Sequence, residues 1–68
     1  MPEDLRELIK EGIIYEDDFI ELYMKLIRDE GFLEYFGAGR GEAEKLLNIL
    51  TSESREHKKS LVEIINSL

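Results

Sequence analysis

The sequence predicts an all-α protein, a single domain of residues 1–68 folded as an antiparallel helical hairpin. Two long segments, about residues 2–30 and 41–67, carry apolar residues at steps of three and four, and the glycine-rich stretch GAGRG lies between them. Two matched helices joined by a short loop form a hairpin. A hairpin leaves one side of each apolar stripe in water, so we expect two copies to pair into a four-helix bundle.

The composition limits the classes of function. A core from 68 residues supplies only about 3–5 kcal/mol, so a metal, oligomerisation or close packing is expected to support it. The chain has no cysteine, and its net charge of −7 argues against nucleic acid and anionic membranes as partners. The N-terminus MPEDLREL lacks the features of a signal peptide. We therefore expect a soluble, cytoplasmic homo-oligomer that is at least a dimer.

The first helix is predicted from a heptad-like seam that one carboxylate interrupts. Pro2 suits a first helical position, and the seam runs through Ile9, Ile13, Glu16, Ile20, Tyr23 and Ile27. Gly12 costs about 1 kcal/mol in a helix interior relative to alanine. The seam keeps its phase across Gly12, which favours one helix over the alternative, a three-helix monomer broken there.

The connection is predicted to be short and partly apolar. Gly31 is expected to end the first helix as its C′ residue. Phe32, Leu33, Tyr35 and Phe36 would then form a turn that plugs the open end of the bundle. The glycines of GAGRG indicate a loop, and they lack the preceding strand that a phosphate-binding loop needs.

The second helix has an apolar stripe that is interrupted at mid-length. The stripe comprises Leu46, Leu47, Leu50, Leu61, Ile64, Ile65 and Leu68. Between its two halves, the positions that should continue it are Glu53 (or Ser54) and His57. No Ser or Thr of the cluster 51–54 has the Glu or Gln three residues later that a capping box requires, so we expect the helix to continue through it.

Three ionisable residues in apolar seams suggest a metal site. In an antiparallel hairpin the middle of each helix meets the middle of the other, so Glu16, Glu53 and His57 are expected at one level. A two-fold dimer would bring four carboxylates and two imidazoles to one axis. Carboxylate and imidazole ligands suit iron, manganese or zinc.

Two segments resemble known helices of the rubrerythrin- and ferritin-like proteins. Ile13-Ile14-Tyr15-Glu16, followed by Ile20 and Tyr23, resembles their first helix, in which a seam Glu with a Tyr seven residues later belongs to a di-iron site. The segment 53–61 resembles their second helix, which carries a Glu-x-x-His motif. The hairpin plan resembles that of two-helix members that dimerise to rebuild the bundle, as in encapsulated ferritins. The resemblance implies that Glu16 is a bridging or terminal ligand and His57 the motif's histidine.

The chain departs from that motif at one position. The carboxylate of the family's motif lies three residues before the histidine, where this chain has Ser54; Glu53 lies four before it. The sequence thus leads to a small ferritin-like protein with Glu16, Glu53 and His57 as ligands for iron or another divalent metal, with iron oxidation or storage as its role. The alternative is a metal-free dimerisation or protein-interaction module on the same scaffold. Whether the protein is an enzyme stays open.

Overall fold

A computed structural model describes the backbone of residues 2–68 and the side chains of residues 4–68. Its elements are α1 (Pro2–Ile27), α2 (Glu30–Tyr35), a 3₁₀ turn (Gly37–Gly39) and α3 (Arg40–Ser67). The described residues contain no strand, which confirms the all-α class. The helix α1 passes through Gly12 unbroken, as the phase of its seam predicts. The helix α3 passes through the Ser/Thr cluster unbroken, as the lack of a capping box there predicts.

The helices α1 and α3 pack against each other in opposite directions. Residues with increasing numbers along α1 contact residues with decreasing numbers along α3. Gly12 lies opposite Leu61, Glu16 opposite His57, and Met24 opposite Arg55. We call the line along which the two helices pack the seam. It contains small residues on α3, since Ala43, Thr51 and Ser54 are all buried there. Small side chains allow the two backbones to approach closely, and Thr51 satisfies its hydroxyl by donating to the Leu47 carbonyl at 2.8 Å.

The connection differs from the predicted turn. The helix α1 ends at Ile27, and Gly31 lies inside the short helix α2 instead of capping α1. Asp29 is the N-cap of α2, and its carboxylate accepts a hydrogen bond from the Phe32 amide at 3.1 Å. An aspartate in this position satisfies one of the free amides of the first turn. This local bond competes with continuation of α1 and explains why the first helix stops early.

The helix α2 closes one end of the hairpin through one side chain. Leu33 is only 1% exposed, whereas Tyr35 is 87% exposed. Of the apolar residues predicted to plug this end, Leu33 is therefore buried and Tyr35 is not. Arg40 holds the turn, with contacts of 2.9 Å to Glu30 of α2 and 3.0 Å to Glu44 of α3. Hydrogen bonds to Glu30 and then to Glu44 raise the pKa of the Arg40 guanidinium. Gly37 has φ of 53°, a left-handed conformation that favours glycine.

The hairpin is a thin rod with a small core. Its dimensions are 50 × 15 × 13 Å and its radius of gyration is 15.5 Å, against about 11 Å for a compact domain of this length. The buried apolar residues among those described are Ile9, Leu33, Ala43 and Leu47. No described helix combines the length and the apolar character that crossing a bilayer would need.

Candidate functional site

Glu16 and His57 lie together at mid-length of the hairpin. Glu16 Oε1 is 3.5 Å from His57 Nδ1, which is an ion-pair distance when the imidazole is protonated. The two side chains differ in exposure, 16% for Glu16 and 63% for His57. The carboxylate is therefore held in the seam, while the imidazole sits at the edge of the seam with most of its surface open. The sequence predicted that these two residues would meet, and the structure places them in contact.

The second carboxylate oxygen of Glu16 has no hydrogen-bond partner among the described residues. Oε2 is buried and accepts no hydrogen bond from the described residues. Leaving such an oxygen unpaired costs about 1–3 kcal/mol, and more if the group is charged. Tyr23, one heptad away, does not donate to this atom; its ring stacks on Phe19 with centroids 6.2 Å apart. Glu16 is thus a seam carboxylate with one oxygen near an imidazole and one available to another ligand.

Glu53 and Ser54 occupy different surroundings, which decides between the two positions left open by the sequence. Ser54 is 6% exposed and lies in the seam, where its small side chain permits the close helix pair. Glu53 is exposed. The residue that replaces the family's motif carboxylate is therefore the one that faces α1, and Glu53 is rotated about 100° away from it.

Within one chain the three predicted ligands do not form a cluster. The described residues contain no group of three or more His, Asp or Glu side chains placed to hold a metal ion. Glu16 and His57 provide one carboxylate and one imidazole, which fits two positions of a transition-metal site. Structural zinc sites use four protein ligands and catalytic ones three, so these two side chains are too few to form such a site by themselves.

One face of the hairpin is apolar and exposed. In an antiparallel pair, positions rotated from the seam in the same sense, at about 100° per residue, lie on the same side of both helices. By this rule Tyr15, Phe19 and Leu22 of α1 lie on one side with Leu46, Leu50 and Ile64 of α3, and each is 40–60% exposed. We call these six residues the apolar face. His57 lies within it, and Glu53 lies on its edge.

The exposed area is larger than that of a compact monomer. The chain exposes 5183 Å², whereas a compact monomer of 8.0 kDa exposes about 4450 Å². The difference of about 700 Å² is close to the roughly 800 Å² that each partner buries in a standard protein interface. The sequence periodicity predicted an apolar stripe on each helix. It did not predict that one side of each stripe is buried in the seam while the other side is exposed on the apolar face.

Comparison with known proteins adds no relative. No protein-family model, no curated protein and no solved structure matches this chain.

Proposed function

We propose that the protein is a small helical metal-binding protein of ferritin-like plan, in which two copies pair through the apolar face and hold a divalent transition metal, iron in the first instance. The observation that carries the proposal is Glu16. Its carboxylate lies in a packed seam, 3.5 Å from an imidazole, and its other oxygen has no hydrogen-bond partner among the described residues. Such a group is costly as structure alone. A metal ion bound by that oxygen would offset the cost.

Two copies complete the ligand set. Pairing the apolar faces brings His57 of each copy toward the interface, and a two-fold axis repeats every ligand. Glu16 and His57 would be the principal ligands, and Glu53, on the edge of the face, would add a carboxylate. Such a set supplies two carboxylates and two imidazoles before Glu53 is counted. Iron held by carboxylate and imidazole can change between iron(II) and iron(III), which is the chemistry that iron oxidation or storage would use.

The test is an anaerobic iron(II) titration of metal-free protein, with three variants beside the parent chain. Glu16→Gln keeps the size of the side chain and removes its charge, and His57→Ala removes the imidazole. Glu56→Gln is the matched control, because Glu56 is adjacent to His57 on α3 and projects about 100° away. We expect the first two variants to lose iron binding and the control to retain it. Equal binding by all four proteins would contradict the proposal.

A second candidate function is a metal-free interaction module. It is favoured by the exposed apolar face, which exists whether or not a metal binds, and by Ser54, which takes the place of the motif carboxylate. In this case Glu16 is a polar seam residue that fixes the pairing of the helices. Dimerisation of metal-free protein together with no iron uptake at any concentration would favour this candidate over the first.

A further inference from the structure

Charge is divided unequally between the two faces of the hairpin. The edges of the apolar face carry Asp4 and Glu11 on α1 and Glu42 and Glu53 on α3, all exposed. We call these four carboxylates the acidic rim. Their positions follow from the same count of about 100° per residue that places the apolar face.

The basic residues of α1 and α3 lie elsewhere. Arg6, Lys10, Arg55 and Lys59 fall on the opposite face of the hairpin at about 100° per residue. Lys58 lies near the seam and is paired with Asp17 at 2.7 Å. Lys25 and Lys45 lie on the outer sides of α1 and α3, about 160° from the seam on the side away from the apolar face. Among the described residues of the two long helices, neither a lysine nor an arginine falls on the apolar face or on the acidic rim. The rim carboxylates therefore have no neutralising partner on their own face.

This division has a consequence for pairing. Two copies that meet through the apolar face bring their acidic rims toward each other, and like charges across an interface oppose association. Burial of the apolar face favours association, so the two effects compete. Mobile cations in solution reduce the repulsion between exposed charges, and a bound metal does so directly.

We infer that self-association of this chain through the apolar face is opposed by the acidic rim and is therefore strengthened by cations. The inference rests on the proposed pairing of two copies and adds the control of that pairing. The expected effect of salt on dimer affinity is opposite to the common one, because interfaces held by complementary ion pairs weaken as salt is added. Here added salt tightens the dimer, and a metal bound at Glu16 and His57 tightens it further.

The test is the dimer dissociation constant of metal-free protein, measured by sedimentation equilibrium from about 0.01 M to about 1 M NaCl, over which the Debye length falls from about 30 Å to about 3 Å. Two double variants remove the same negative charge. The rim variant is Glu11→Gln with Glu42→Gln. The control is Glu21→Gln with Glu63→Gln, which lie on the opposite face of the hairpin at about 100° per residue.

The parent chain is expected to dimerise more tightly as NaCl rises. At low salt the rim variant should dimerise at least about tenfold more tightly than the control, a difference that a few removed charge repulsions can supply. The inference would be overturned if the dissociation constant of the dimer did not change with NaCl concentration, or if the two variants had the same dissociation constant. Either result would leave the proposed pairing standing. A chain that stays monomeric at every salt concentration, with and without iron(II), would overturn both.

Discussion

The Glu16 carboxylate meets the His57 imidazole across the seam between α1 and α3, with 3.5 Å between Oε1 and Nδ1. One of the two groups is largely buried and the other largely open. The pair therefore links the interior of the hairpin to the apolar face, on which a second copy is proposed to dock. The consequences of this arrangement can be measured separately for stability, for association and for metal binding.

Replacing Glu16 should stabilise the metal-free protein. Glu16→Leu removes a buried oxygen that accepts no hydrogen bond from the described residues and places an apolar side chain in the seam. We expect the free energy of unfolding to rise by about 1–3 kcal/mol, measured by urea denaturation in the presence of a chelator. Asp17→Leu is the control, since Asp17 is half exposed and paired with Lys58; it should not stabilise. A loss of stability in Glu16→Leu would mean that the carboxylate has a structural partner.

The apolar face should govern association without governing folding. Leu22→Gln places a polar group on that face, and Ile14→Gln does so on the back of α1, where Ile14 is 58% exposed. We expect Leu22→Gln to weaken the dimer by about tenfold or more, the effect of losing roughly 1.4 kcal/mol. Ile14→Gln should leave the dimer unchanged. Sedimentation equilibrium measures the association, and circular dichroism checks that both variants stay helical.

Leu33 should be essential for the stability of the hairpin. Its side chain is 1% exposed, and truncation of a buried leucine costs about 2–5 kcal/mol. A domain of this size has only about that much in total. We expect Leu33→Ala to be largely unfolded at room temperature in thermal melts, whereas Tyr35→Ala, at an 87% exposed position, should melt close to the parent. Similar melting of both variants would show that α2 does not close the hairpin.

Gly12 is the place where close packing can be tested directly. A Cβ added there would lie 3.2 Å from Leu61 Cδ1, and that atom is the end of a flexible side chain. The gain of about 1 kcal/mol in helix propensity should exceed the cost of moving it, so Gly12→Ala is expected to stabilise by about 0.5 kcal/mol. Gly12→Val should destabilise, because its further methyl groups would separate the helices. Gly41→Ala, in the first turn of α3 with open space around it, is the control that adds a Cβ without a contact. Greater stability of Gly12→Val than of Gly12→Ala would contradict the close contact.

The sequence contained enough to predict the two long helices, their antiparallel pairing and the meeting of Glu16 with His57. Each follows from apolar spacing and from the equal lengths of the helices. It did not separate Glu53 from Ser54, because adjacent positions differ by one rotation of about 100° and the contact side of α3 depends on how α1 packs. The apolar stripe of α3 is wide enough that either Glu53 or Ser54 could have faced α1. The small residues Ala43, Thr51 and Ser54 carried the missing signal, since they mark where the backbones approach.

The helix α2 was missed for a local reason. Gly31 was interpreted as a helix end, although Asp29, two residues earlier, is a good N-cap for the segment EGFLEY. The separation of the basic residues from the apolar face was equally present in the sequence. It becomes visible only when both helices are viewed from the seam, since positions rotated from the seam in the same sense then lie on the same side of the hairpin.

The most direct test of the central claim is native mass spectrometry of the protein loaded anaerobically with iron(II), which reports mass and iron content together. If the site lies between two copies, iron should travel with the dimer at about one ion per chain, as a two-metal site on a two-fold axis requires. The metal-free protein should show a larger monomer fraction. Iron carried by the monomer, or a dimer that carries none, would contradict the claim.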